Sequence, residues 1–274
     1  MKKIVLFLIL LLSVHLYADA KPLRVAVIGG ITMSGLWEQI ATAFEKKYGI
    51  KTELVVTGPK KRLSKYCQNH PIDLITMHSS DTISNLASSG LIEQLTPWIH
   101  NSQMIISEKS NPAQINDNDT LEVALKKITD AKSTFMMHLS GGTVEVFHEV
   151  SSNYAFHPKI ILTQNTNNLL DDVESHQAYT LFGVIPYLMQ KHSNPNIKGY
   201  LIDAEALHRP YLAATGTIER IGEERYANAK RLLEFLTSPE IQNLIRDFRL
   251  EAFPKVPVFF PSKVRGMPPS IGNR

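Results

Sequence analysis

The chain has 274 residues, a formal charge of +3 and a single cysteine, Cys67. So weak a positive balance, with no long basic block, leaves no electrostatic footprint for nucleic acid. One cysteine forms no internal disulfide, so the fold must rest on hydrophobic cores, with Cys67 itself expected to be a small buried residue rather than a nucleophile.

Lys2 and Lys3 precede an apolar run from Ile4 to Leu16, followed by Ala18-Asp19-Ala20. This is the pattern of a secretory signal with an Ala-x-Ala cleavage site, shorter than the ~20 residues of a spanning helix. Residues 1–20 are therefore expected to be removed, giving a periplasmic protein that starts near Lys21. No cysteine stands at the cleavage point to take a lipid anchor. The remaining chain suits two lobes of roughly 100 to 150 residues each.

From Leu23 to Ile28 a short β-branched run reads as a strand, ended by Gly29-Gly30. A helix follows, with Ser34 as a cap, Leu36, Ile40 and Phe44 on one face, and Gly49 in the left-handed closing position. Ile50 to Val56 is a second strand, Lys60 to Gln68 a short basic helix, Ile72 to Met77 a third strand, and Thr82 to Ser89 a helix ended by Gly90. Strictly alternating strands and helices predict a mostly parallel sheet flanked by helices, with ligands gathering beyond the carboxyl ends of the strands.

Residues 98–114 break this rhythm, with a strand at 103–107 and then a polar stretch, and read as the crossing into a second lobe. There Asp119 and Glu122 form a capping-box pattern ahead of Leu121, Ala124, Leu125 and Ile128. A strand at 134–137 leads into Ser140-Gly141-Gly142-Thr143. Alternation continues through 160–163, 168–176, 178–182 and 199–203, and residues 208–215 read as the crossing back. Helices are expected at 226–236 and 239–248, the second starting on Ser238-Pro239, before a proline-rich strap. The expected organisation is thus a signal at 1–20, a first lobe of 21–106 and 214–274, and a second lobe of 107–213.

Three loops carry donors at helix starts, where backbone amides and the helix dipole favour an anion: Thr32 and Ser34, His78 and Ser79, and Ser140 and Thr143. The first is not a nucleotide-binding loop, because Leu36 and Trp37 stand where Lys and Ser or Thr are needed. Each loop taken singly also reads as an ordinary capped turn; three from two lobes form a constellation. His148-Glu149 lacks the second histidine of a zinc-hydrolase helix, no Gly-x-Ser-x-Gly elbow exists, and Asp171-Asp172 reads as a solvated helix face. No catalytic residues, metal ligands or cofactor are expected.

At these loops the chain resembles the periplasmic tungstate-binding proteins of ABC transporters, a branch of the class II solute-binding fold that also includes molybdate binders. The likeness runs through "ITMSGLWEQIATAFEKKYGIK" (31–51), "IDLITMHSS" (72–80), "MIISEKSNPAQI" (104–115), "YTL" (179–181) and "AKRLLEFLTSPEIQNLI" (229–245). It implies an α/β protein of two lobes joined by two crossings that encloses an oxyanion and delivers it to an ABC permease; two lobes on two crossings make a hinge, and a monomer that closes on its ligand is expected. The candidate ligand-binding residues are Thr32, Ser34, His78, Ser79, His138, Ser140 and Thr143. The departures fall on the ligand loops. The family's Ser-Arg-Gly-Asp-Asp-Ser-Gly-Thr loop is shorter here and puts His138 near the missing arginine, and the family's Thr-Asp-Arg-Gly after "YTL" is replaced by Phe182-Gly183-Val184-Ile185. Both family arginines are unmatched. The alternatives are another small solute, held by a less polar pocket containing Phe182, Val184 and His138, or a ligand-reporting partner of a membrane sensor.

Overall fold

The computed structural model describes residues 21–138, 141–163, 169–190 and 193–262. The expected signal segment and Ser140 lie outside them. The chain forms two compact units: one of residues up to Thr96 with Ala213–Ser238, the other of Pro97–Leu212 with the residues from Pro239 onward.

In the first unit, β1 (Leu23–Ile28) runs parallel to β2 (Thr52–Gly58) on one side and β3 (Leu74–His78) on the other. A strand with neighbours on both edges and helices on both faces reads as a continuous apolar run, and Val25, Ala26 and Val27 are fully buried. A short helix, α1 (Gly29–Met33), leaves β1 directly and is followed by α2 (Leu36–Tyr48), α3 (Lys60–Asn69) and α4 (Asp81–Ser88). Leu36, Trp37, Ile40 and Phe44 bury one face of α2, as their spacing predicts, and Gly49 closes the helix at φ 69°.

The returning segment completes this unit. Helix Glu223–Leu236 sets Phe235 against Phe44 and Tyr48, with ring centroids 5.5 and 5.7 Å apart. The amide of Gly216 donates to the carbonyl of Asp73 at 3.0 Å. Arg24 and Arg225 both bind the fully buried carboxylate of Asp73, joining three stretches of chain.

In the second unit, β4 (Ile92–Glu108) pairs antiparallel with β7 (Tyr179–Gly183) and β8 (Ile197–Tyr200) through its residues from Gln103 onward. Beyond β7 lie β5 (Thr134–His138) and β6 (Lys159–Thr163), both parallel, in the order β4-β7-β5-β6. The helices are α5 (Leu121–Asp130), α6 (Gly141–Tyr154), α7 (Leu169–Ser175) and α8 (Val184–Gln190). Leu121, Ala124, Leu125 and Ile128 of α5 and Val146, Phe147 and Val150 of α6 enclose one core with Phe135, Phe156 and Tyr179. The cap of α5 is Thr120, whose hydroxyl accepts from the Val123 amide at 3.3 Å; Asp119 instead binds Lys127 at 2.8 Å.

Several features differ from the sequence expectations. The strand expected at 103–107 is the end of a longer one, β4, and the crossing back is also an extended strand, β9 (His208–Gly216), because its backbone finds ladder partners that no local pattern announces. Helix α8 follows β7 at once, with Pro186 in its first turn, where a missing amide costs nothing. The units also divide the chain at 96/97, 212/213 and 238/239 rather than at 106/107 and 213/214. Helix Pro239–Asp247 belongs to the second unit, held by the buried Gln242 side chain, which donates to the Trp98 carbonyl at 2.9 Å. The strap adds Phe260 to β4 opposite His100, and Phe259 packs on Tyr211.

Candidate ligand-binding site

In the first unit three turns leave neighbouring parallel strands at the same edge: residues 29–35 after β1, Gly58-Pro59 after β2, and His78-Ser79-Ser80 after β3. The backbones pack closely; a Cβ at Gly29 would stand 3.5 Å from Gly58 Cα. Thr32 Oγ1 donates to the Gly29 carbonyl at 3.0 Å and shares a hydrogen bond of 2.8 Å with Thr57 Oγ1. With Thr57 donating to Thr32, both hydroxyl protons are engaged.

Ser34 Oγ donates to the Ile31 carbonyl at 2.9 Å and receives the Leu36 amide at 3.4 Å. It therefore does not occupy the expected cap position, which Gly35 takes at φ 81° with no side-chain bond. Ser80 Oγ turns back to the His78 carbonyl at 3.2 Å, so α4 also begins without a side-chain cap. Ser79 is exposed and His78 half-buried. In this edge the hydroxyls of Thr32, Ser34 and Ser80 are committed to the protein's own carbonyls, and the uncapped helix starts offer backbone amides as donors.

In the second unit His138 ends β5, opposite Thr163 of β6. Thr143 is buried in the first turn of α6. Val184 is buried as well, with 1% exposure, and Phe182 is half-buried.

Two polar residues at these edges escaped the sequence reading. Thr57 is the last residue before Gly58, and only strand pairing brings it to Thr32. Arg209, in the stretch read as a plain crossing, lies on β9 with only 11% of its side chain exposed, and its guanidinium rests against Gly142 in the first turn of α6. A lone arginine between His208 and Pro210 carries no motif; the strand that positions it is the signal, and it is a tertiary one. Burial lowers the Arg209 pKa, against the opposing influence of Tyr211 and Glu145. Among the described residues, no group of three or more His, Cys, Asp or Glu side chains is placed to hold a metal, and no helix is long and apolar enough to cross a membrane.

The fold is shared with solved structures over most of the chain. The tungstate-binding protein TupA from Desulfovibrio alaskensis G20 superposes with a TM-score of 0.75 at 21% identity, covering 89% of this chain and 99% of that one. The tungstate ABC transporter structure from Geobacter sulfurreducens gives 0.67 at 21% identity, covering 83% and 99%. The substrate-binding domain of a candidate molybdenum ABC transporter from Clostridium difficile gives 0.56 at 18% identity, covering 83% and 96%. No curated protein sequence matches significantly. The family model for bacterial extracellular solute-binding proteins matches residues 24–248, nearly the whole described chain, and the protein belongs to that family.

Proposed function

We propose that this solute-binding protein is exported to the periplasm, captures a tungstate- or molybdate-like oxyanion, and delivers it as a monomer to an ABC permease. The observation that carries the reading is the first unit's sheet edge, where the starts of α1, α2 and α4 all lack a side-chain cap. Uncapped amides at helix starts favour a compact anion over a cation or a neutral apolar solute. The fold of the tungstate and molybdenum proteins supports the same ligand class. Solute binding accounts for the family and for these loops without any catalytic step.

The deciding experiment is native mass spectrometry of protein purified without added ligand, followed by a thermal-shift screen of oxyanions, amino acids and metal ions. Tungstate or molybdate should raise the melting temperature and appear as a one-to-one adduct. A shift with an amino acid and none with any oxyanion would replace this reading with capture of a different small solute.

A further inference from the structure

Arg209 is a largely buried cation on β9, with 11% of its side chain exposed. Its strand is anchored on either side: the Tyr211 hydroxyl accepts from Asn101 Nδ2 at 2.8 Å, and the Leu207 carbonyl accepts from Ser102 Oγ at 3.4 Å. A Cβ placed on Gly142 would stand 2.7 Å from Nη2 and 2.8 Å from Cζ of Arg209. Glycine at 142 is thus what admits the guanidinium to the first turn of α6.

That position is electrostatically unfavourable for a cation. The start of a helix carries about half a positive charge, and burial strips the guanidinium of water. Its sole hydrogen bond among the described residues is Nη2 to Glu145 Oε2 at 3.3 Å, and the Glu145 side chain is itself 48% exposed. One long bond from a half-solvated carboxylate is a weak counterweight to a desolvated guanidinium whose Nη1 and Nη2 lie against Gly142. A structural ion pair would place the acid closer and deeper.

We infer that Arg209 is the cationic ligand for the bound oxyanion in this protein, with Gly142 making room for its fork and Glu145 acting as the counter-ion that the anion displaces. The inference rests on the oxyanion reading above. A guanidinium presents paired N–H donors to an oxyanion's edge, which an ammonium does not.

The test is calorimetry of tungstate, molybdate, sulfate and phosphate with the wild type and with Arg209→Gln, Arg209→Lys, Gly142→Ala and Glu145→Gln, each melted first to confirm folding. Losing a charge-assisted bond should weaken the bound anion by about tenfold or more in Arg209→Gln. Arg209→Lys should fall between the two, and Gly142→Ala should weaken binding by pushing the guanidinium aside. Glu145→Gln should tighten binding, because the anion no longer competes with a carboxylate. If Arg209→Gln fails to fold, Arg209→Lys and Gly142→Ala carry the comparison. Wild-type binding with unchanged affinity in the arginine and glycine variants overturns the role of Arg209 and leaves the oxyanion reading standing. Lower melting temperatures in Arg209→Gln and Glu145→Gln with unchanged affinity would make the pair purely structural. If the wild type binds none of the four anions, the ligand class fails and the role of Arg209 with it.

Discussion

Arg225 reaches back 152 residues to Asp73, donating from Nε to Oδ1 at 2.9 Å and from Nη2 to Oδ2. Arg24 adds a bond of 3.0 Å to Oδ1, and its own amide donates to Oδ2. The Asp73 side chain is fully buried, while the two arginines retain 28% and 22% exposure. Burial alone would raise the Asp73 pKa, but the bonds from Arg225 and Arg24 outweigh it and hold the carboxyl below the usual carboxylate range. A depressed folded pKa contributes stability that is complete above the unfolded value of about 3.9 and is lost as pH falls through the folded one. Asp73→Ala should therefore cost about 3 kcal/mol at pH 7, the lower end for a broken buried pair because both arginines still reach water. The wild-type advantage should shrink in denaturant titrations below pH 4; a difference that stays constant from pH 7 to pH 3 would show that the charge is not the source.

Tyr179 does comparable work in the second unit. Its hydroxyl accepts from the Ala113 amide at 2.9 Å and donates to Asn111 Oδ1 at 2.8 Å, fastening the loop after β4 to the core. Burial pushes its pKa up to about 12, in spite of the Ala113 amide bond. Tyr179→Phe should destabilise by about 1 to 3 kcal/mol, because the Ala113 amide is left without its acceptor inside the protein. Urea unfolding measures this, and a loss below 0.5 kcal/mol would mean that water reaches the amide.

Cys67 is fully buried on α3, and burial raises its thiol to about 11 against the pull of Arg220. Only the thiolate reacts, so the native protein at pH 8 should resist a maleimide for hours and label within minutes once unfolded in guanidinium. Fast native labelling would indicate that α3 opens readily from the sheet.

The pH dependence of binding separates two cations. An imidazole of ordinary pKa about 6.5 gains its charge as pH falls, so a contribution from His138 strengthens oxyanion binding from pH 8 to 5.5, while a guanidinium is charged throughout. His138→Ala should flatten that pH profile and leave affinity at pH 8 unchanged, whereas Arg209→Gln should lower affinity at every pH. A profile already flat in the wild type would remove His138 from the site.

How much of this could be read along the chain depended on the range of the interaction. Helix α2 declared itself because Leu36, Ile40 and Phe44 recur at helical spacing and Gly49 takes the left-handed turn that favours glycine. The first unit's parallel sheet was legible for the same reason: β1 and β3 are short apolar runs between turn residues. The starts of α2 and α4 beside Ser34 and Ser79 could be located, but not that Thr32 lies inside a short helix, α1, nor which hydroxyls were already engaged by the carbonyls of Gly29 and Ile31. Residues 208–216 offered no periodicity, because a strand defined by its ladder partners needs those partners to exist. Arg209 against Gly142, Thr57 on Thr32, Asp73 under Arg225 and Gln242 on Trp98 all join residues far apart in sequence. Local pattern determines backbone conformation because its forces act within a turn or two, whereas the placement of a buried charge is decided by whichever distant segments desolvate it, and only the folded chain brings those segments together.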